Sequence, residues 1–226
     1  MCIIGFGDEY SIPTEEELIN CCVNNPDGFG YSILSNGKII TKRTMNADDA
    51  ISSFMKDVTS GFTGYWLFHA RIASHGYIDL ERCHPFTVRH DIVLAHNGML
   101  PYTGLPKGVS DTQYLARNIL SDDNLLRSLD SSFDLWDKYF TTTHNKVVIL
   151  NAGNELESPY YIFNVNGGVE DNGIWWSNYG FEDVAKYTAR YIKYNWKDDD
   201  CALAVYDKKE EEDDDFDWVF NDKGLA

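Results

Sequence analysis

A cysteine stands directly behind the initiator Met, in Met1-Cys2-Ile3-Ile4-Gly5. Removal of Met1 puts a thiol and a free α-amine on one residue, and the small Cys side chain suits that removal. An α-amine has a reference pKa of about 7.7–8.0, so it accepts a proton near neutrality without a His partner. A thiol beside such a base is an activated nucleophile. The same residues, Cys-Ile-Ile, also read as the start of a buried strand. Residue type alone leaves both readings open.

Further chemistry lies downstream. Gly64-Tyr65-Trp66-Leu67-Phe68-His69-Ala70-Arg71 reads as a strand that is apolar on both faces, as in a sheet covered on both sides. Side chains alternate along a strand, so His69 and Arg71 share a face. A buried Arg must be paired or bind something. An Arg at the strand end can instead reach into water. Ala73-Ser74-His75-Gly76 follows as a loop, then Cys83-His84-Pro85-Phe86. Asp91 to His96 is a second buried strand, ending at Asn97-Gly98. No matching alternating strand follows that pair, which disfavours a simple hairpin. Backbone N–H groups in such a turn can face one point and hold an anion. Asp111 opens a helix, where a carboxylate also suits the helix dipole.

The elements around these residues are legible. Thr14 and Glu17 form a capping box ahead of a helix that buries Leu18, Cys21 and Cys22. Asn25 to Gly30 is a tight loop. Tyr31–Leu34 and Lys38–Lys42 flank Asn36-Gly37, a strong hairpin signal. Asn46 to Val58 predicts a helix with Ala50, Ile51, Phe54, Met55 and Val58 on one side. Ser110 and Gln113 form a second capping box, with Tyr114, Leu115 and Ile119 facing inward. Another helical stretch runs from Asn124 to Phe140. Lys146–Leu150, Tyr160–Val165 and Ile174–Ser177 read as strands between Gly- and Asn-rich turns. These elements predict an α+β fold of two sheets covered by helices.

Composition narrows the function. The chain has 226 residues, enough for one domain with a sizeable core, and 43% of them are hydrophobic. Its 19 basic and 36 acidic residues give a formal charge of −17, which argues against nucleic acid or an anionic membrane as partner. No apolar run approaches membrane-spanning length, and no basic segment with an apolar core opens the chain as a secretory signal would. The cysteines Cys2, Cys21, Cys22, Cys83 and Cys201 are odd in number and unpatterned. Reduced thiols and a cytoplasmic location are expected. Past residue 180 the composition shifts. Val184 to Trp196 predicts a helix rich in Tyr and Lys. Lys208 to Asp217 is a charge run, the usual mark of a solvated tail, with Phe216, Trp218 and Phe220 interleaved as a candidate docking element.

Taken in order, Cys2, His69-Ala70-Arg71, Ser74-His75-Gly76, Cys83-His84-Pro85-Phe86, Ala95-His96-Asn97-Gly98 and Ser110-Asp111-Thr112 resemble the glutaminase domain of class II glutamine amidotransferases. These are N-terminal-nucleophile hydrolases. The resemblance covers roughly residues 2–180 and implies a four-layer αββα sandwich. It makes Cys2 the nucleophile on the glutamine side-chain amide, with its own α-amine moving the proton and a glutamyl thioester as intermediate. It makes Asn97 and Gly98 the oxyanion hole. Arg71 holds the α-carboxylate of glutamine and Asp111 its α-ammonium, while Ser74, His75 and His84 wall the pocket. A zwitterionic substrate needs one cation and one anion, and this pair supplies them. No cofactor is implied. The residues after 180 hold no recognisable second catalytic set, so a separate synthase subunit is expected to accept the ammonia.

The chain departs from the family where many members carry an Arg that orients the N-terminus. Here Asn24 stands in its place, although Asp27 and Gly30 are kept. Three alternatives stay open. One is an amidohydrolase acting on a γ-glutamyl or other amide without ammonia transfer. Another is a metal site drawn from His69, His75, Cys83, His84 and His96, though CxxC and HxxxH spacings are absent. The third is an inactive relative that binds a partner.

Overall fold

Two apolar runs, Ile3–Asp8 (β1) and Gly64–Ala70 (β4), pair antiparallel from Ile3–Ala70 to Asp8–Tyr65 and form the centre of a sheet. The computed structural model describes residues 1–73 and 77–195. On one side of this pair lie β2 (Phe29–Ser35) and β3 (Lys38–Thr44). They are joined by the expected hairpin, with positive φ at both Asn36 (51°) and Gly37 (69°), the backbone that an Asn-Gly turn supplies at least cost. On the other side lie β10 (Ile174–Trp176) and β9 (Val169–Asp171). The six strands run in the order β3-β2-β4-β1-β10-β9. A second antiparallel sheet has the order β5-β6-β7-β8, with β5 Phe86–Arg89, β6 Ile92–Asn97, β7 Lys146–Asn151 and β8 Tyr160–Phe163.

Strand alternation sorts the side chains into three buried clusters. Ile3, Trp66, Phe68 and Ala70 pack with Leu18, Cys21 and Cys22 of α1 (Glu15–Asn24) and with Phe54 and Val58 of α2 (Ala47–Thr59). The opposite face supplies Ile4, Phe6, Leu67 and Trp175, which meet Val93, Ala95, Val148 and Leu150 of the second sheet. That sheet's other face, with Leu94 and Ile149, packs on Leu115, Leu126, Leu129 and Phe140. The fold is therefore α+β, with two antiparallel sheets and six α-helices among the described residues. Trp66 and Phe54 are fully buried and meet edge to face. Truncating either to Ala costs about 3–5 kcal/mol.

The helices refine the sequence expectations. Both capping boxes form, Thr14 with Glu17 and Ser110 with Gln113. The helix opened by Ser110 is not uniform. α3 (Asp111–Tyr114) passes into a π-helical turn, Leu115–Ile119, in which the Leu120 N–H reaches Leu115 O at 2.9 Å. The wider turn places Leu115, Ala116 and Leu120 together in the core. The stretch expected as one helix to Phe140 is two, α4 (Asp123–Ser131) and α5 (Phe133–Thr142), separated at Ser132 by non-helical dihedrals. α6 spans Val184–Asn195. Trp196, the acidic run Lys208–Asp217 and Cys201 lie outside the described residues. Among the described residues no helix is long and apolar enough to cross a membrane, and Cys2, Cys21, Cys22 and Cys83 are free thiols.

Candidate active site

Alternation also decides where the chemistry gathers. Cys2 continues the inward face of Ile4 and Phe6. His69 and Arg71 continue that of Leu67, and Asn97 continues that of Val93 and Ala95. These residues meet at one end of the space between the sheets. A cavity of about 320 Å³ opens there, lined by Cys2, Arg71, His84, His96, Gly98 and Asp111 among others. A second cavity of about 440 Å³ adjoins it and shares Cys2, Ile72, Gly98 and Met99, while adding Asn97 and Met1. Ser74 and His75, expected as walls of the pocket, lie outside the described residues.

The Cys2 thiol is half-buried, and among the described residues it reaches the Ile72 carbonyl at 3.5 Å. Burial pushes its pKa up, against smaller opposing effects from the Ile72 backbone, the N-terminal ammonium and Arg71. It rests as a thiol and needs a base. The Cys2 backbone is fixed by Asn178, whose Nδ2 donates to Cys2 O at 2.7 Å. Asn24 serves elsewhere, and its Nδ2 donates to Gly180 O and Glu182 O at 3.0 and 3.1 Å. It ties the end of α1 to the segment behind β10.

Arg71 is buried at 6% exposure. Its guanidinium donates to the Tyr77 carbonyl at 3.3 Å, and no described carboxylate pairs with it. A buried cation without a counter-charge is expensive unless a ligand supplies one. Asp111 is the first residue of α3 and is held on both oxygens. Oδ2 accepts from Leu100 N at 2.8 Å, and Oδ1 accepts from Thr112 N at 2.7 Å. Asp27 accepts from Ala73 N at 2.7 Å and anchors the chain just beyond Arg71.

Three imidazoles pack beside the cavity. His69 and His84 lie ring against ring, with centroids 4.1 Å apart. Burial lowers the pKa of His69 to about 3 and that of His84 well below the usual range. His96 is lowered by burial as well, against the opposing pull of Asp111. Its tautomer follows from its neighbours. Asn145 Nδ2 donates to the Met99 and Thr143 carbonyls, at 3.1 and 2.9 Å, so Asn145 Oδ1 must be the acceptor 2.7 Å from His96 Nε2. Nε2 therefore carries the proton, and Nδ1 accepts from Thr112 Oγ1 at 2.9 Å. All three rings are neutral near pH 7 and poor bases. Among the described residues no group of three or more His, Cys, Asp or Glu side chains is placed to hold a metal ion. Cys83 is buried against Thr44, Met45 and Asp79 instead.

Gly98 follows β6 with φ +145°, and a Cβ there would lie 2.2 Å from Asn145 Oδ1. Asn145 is fully buried and cannot give way. Gly98→Ala is therefore expected to destabilise the protein by about 2–4 kcal/mol, from backbone strain plus overpacking. Urea unfolding measures this, and an unchanged midpoint would refute the contact.

Sequence reasoning passed over Arg82, Ser177 and Asn178. Arg82 lines the cavity but is already engaged by Asp79 and the Gly108 carbonyl. Ser177 is fully buried and hydrogen-bonds Asn97 and Ile4.

No family model and no characterised protein sequence matches the chain. Among solved structures it is similar to the glutamine phosphoribosylpyrophosphate (PRPP) amidotransferase from B. subtilis complexed with ADP and GMP. The TM-score is 0.45 and the identity 16%, over 78% of this chain and 41% of that one. This chain thus matches less than half the length of that protein.

Proposed function

We propose that the protein is a glutamine amidotransferase or glutaminase of the N-terminal-nucleophile type, with the four-layer αββα sandwich of that class and its domain spanning residues 1–180. The observation that carries the reading is the cavity that collects a thiol, an uncompensated buried guanidinium and a fixed carboxylate. Arg71 and Asp111 suit the α-carboxylate and α-ammonium of an amino acid whose side-chain amide extends toward Cys2.

The chemistry follows from the protonation states. With Met1 removed, the α-amine of Cys2 takes the thiol proton as sulfur attacks the amide carbon. The oxyanion is met by Gly98 N–H and the Asn97 side chain. The ammonium then returns the proton to the departing nitrogen, ammonia leaves, and a γ-glutamyl thioester remains. Water hydrolyses it to glutamate and restores the thiol. The neutral, weakly basic His84 and His96 are poorer proton acceptors than an amine of pKa about 7.7–8.0. His84 instead walls the substrate pocket, and Ser74 and His75 are assigned to its rim. A separate subunit accepts the ammonia, and the protein works in the cytoplasm without a cofactor.

The adjoining cavity beside Cys2 favours one second reading. It gives room for a substituent on the departing nitrogen, so a γ-glutamyl amide is the alternative substrate. Intact mass decides between them, measured before and after treatment with the glutamine-analogue electrophile diazo-oxo-norleucine. Loss of Met1 and one adduct on Cys2, blocked by excess glutamine, is the expected result. An adduct that a γ-glutamyl amide blocks and glutamine does not would favour the second reading. Absence of any adduct on a free Cys2 would refute both.

A further inference from the structure

Hydrogen-bond capacity at Asn97 singles out one residue that the reaction has not yet used. Asn97 ends β6 and Ser177 follows β10, at the same end of the inter-sheet space, and both are buried. Ser177 Oγ accepts the Ile4 N–H at 2.9 Å and lies 2.8 Å from Asn97 Nδ2. With the amide in that sense, Asn97 Oδ1 is buried without any donor. The Ser177 hydroxyl proton then also lacks an acceptor among the described residues. A hydroxyl offers one proton and two lone pairs, and the two ends of an amide are nearly isosteric. Turning the amide over satisfies both orphans. Ile4 N–H donates to Ser177 Oγ, and the Ser177 O–H donates to Asn97 Oδ1. The 2.8 Å separation also suits an O–H donor. What remains without a partner is Asn97 Nδ2–H, in the buried place that Oδ1 held, on the residue that lines the cavity with Cys2 and Gly98.

We propose that Ser177 is a positioning residue that sets the sense of the Asn97 amide. Tied through its backbone and hydroxyl to Ile4, two residues beyond the nucleophile, it keeps the amide N–H free for the oxyanion formed on Cys2. This rests on the reading of Cys2 as nucleophile and Asn97 as oxyanion donor. Without the hydroxyl, either end of the amide can face the substrate. A carbonyl oxygen facing a developing oxyanion repels it. The cost therefore falls on the transition state and not on substrate binding.

The test is a double-mutant cycle on glutamine hydrolysis by the full chain, with Met1 removal verified by mass. Ser177→Ala is expected to lower kcat about 10–100-fold with KM changed less than about twofold, and Asn97→Ala to lower kcat about 10²–10³-fold. The double variant is expected to be no slower than Asn97→Ala alone. Binding of glutamate γ-semialdehyde, which forms a tetrahedral thiohemiacetal with the Cys2 thiol, should weaken by the same factor as kcat. Should Ser177→Ala not fold, Ser177→Cys replaces it, because its thiol donates only weakly. An unchanged kcat, or a Ser177 effect that persists undiminished in the Asn97→Ala background, would overturn the assignment. A native chain whose Cys2 is unlabelled by diazo-oxo-norleucine overturns the parent reading instead, before any variant is made.

Discussion

An N-terminal extension left in front of Met1 is expected to abolish turnover, and proteolytic release that leaves Cys2 first is expected to restore it. While Met1 is attached, the nitrogen of Cys2 belongs to a peptide bond and has no basicity. The thiol, whose pKa burial has raised, then has no competent base among the described residues around it. His84 and His96 are near, but burial has lowered both. The extended protein should still fold, because β1 begins at Ile3 and Met1 is exposed. Cys2→Ala in the released form isolates the nucleophile. Its terminus is equally free, and kcat is expected to fall on the order of 10⁴-fold or more while substrate affinity stays. Steady-state kinetics of the extended, released and Ala forms check both statements. An extended form as active as the released one would show that an imidazole, not the α-amine, takes the proton.

Much of the framework was readable because its signals are local. Thr14 with Glu17 and Ser110 with Gln113 are four-residue patterns, and each became a capping box. Asn36-Gly37 needed only its own backbone preferences to become a hairpin. Strands β5 and β9 escaped because four and three residues are too short to show a period. Val169-Glu170-Asp171 carries a single apolar side chain, and it pairs only because Asn172-Gly173 folds it back on β10. The break at Ser132 and the π-helical turn after Tyr114 depend on which side chains the second sheet leaves room for.

The candidate site divides along the same line. Cys2, Arg71, Asn97 and Asp111 stood out by residue type against an apolar or capping background. Ser177 and Asn178 did not. One partner of Ser177 lies 173 residues away, and Asn178 bonds a residue 176 positions away. Only sheet pairing of β10 with β1 brings them to the terminus. Asn24 shows the converse. It stands where the resemblance expects an Arg that orients the N-terminus, and its amide spans instead to Gly180 and Glu182.

Mild acid is expected to unfold the protein, and the sign follows from His69, His84 and His96. Each is neutral in the folded state because burial lowers its pKa. Unfolding returns each to about 6.5. Below that value the unfolded chain binds protons that the folded one refuses, so stability falls as pH drops through about 6.5. For His69 the loss continues toward its folded value of about 3. Each refused proton costs about 1.4 kcal/mol per pH unit, so His69 and His84 together cost about 3 kcal/mol per unit, and His96, lowered against the pull of Asp111, adds in the same direction. A domain holds only about 5–15 kcal/mol in total. The surroundings offer little relief. Among the described residues His69 and His84 face each other and Arg71, and an opposing carboxylate, Asp111, acts on His96 alone of the three. Carboxylates held low by their partners, such as Asp57 beside Lys42 and Tyr31, lose their contribution only as pH falls further, below about 4. The decline between pH 6.5 and 5 therefore belongs to the imidazoles. Urea unfolding at pH 7.5, 6.0 and 5.0 measures the slope, and His69→Gln should remove about one proton from it. A stability that stays flat across this range would mean that the rings accept protons in the folded protein. His84 and His96 would then be available as bases beside Cys2, and the α-amine would lose its exclusive place in the reaction.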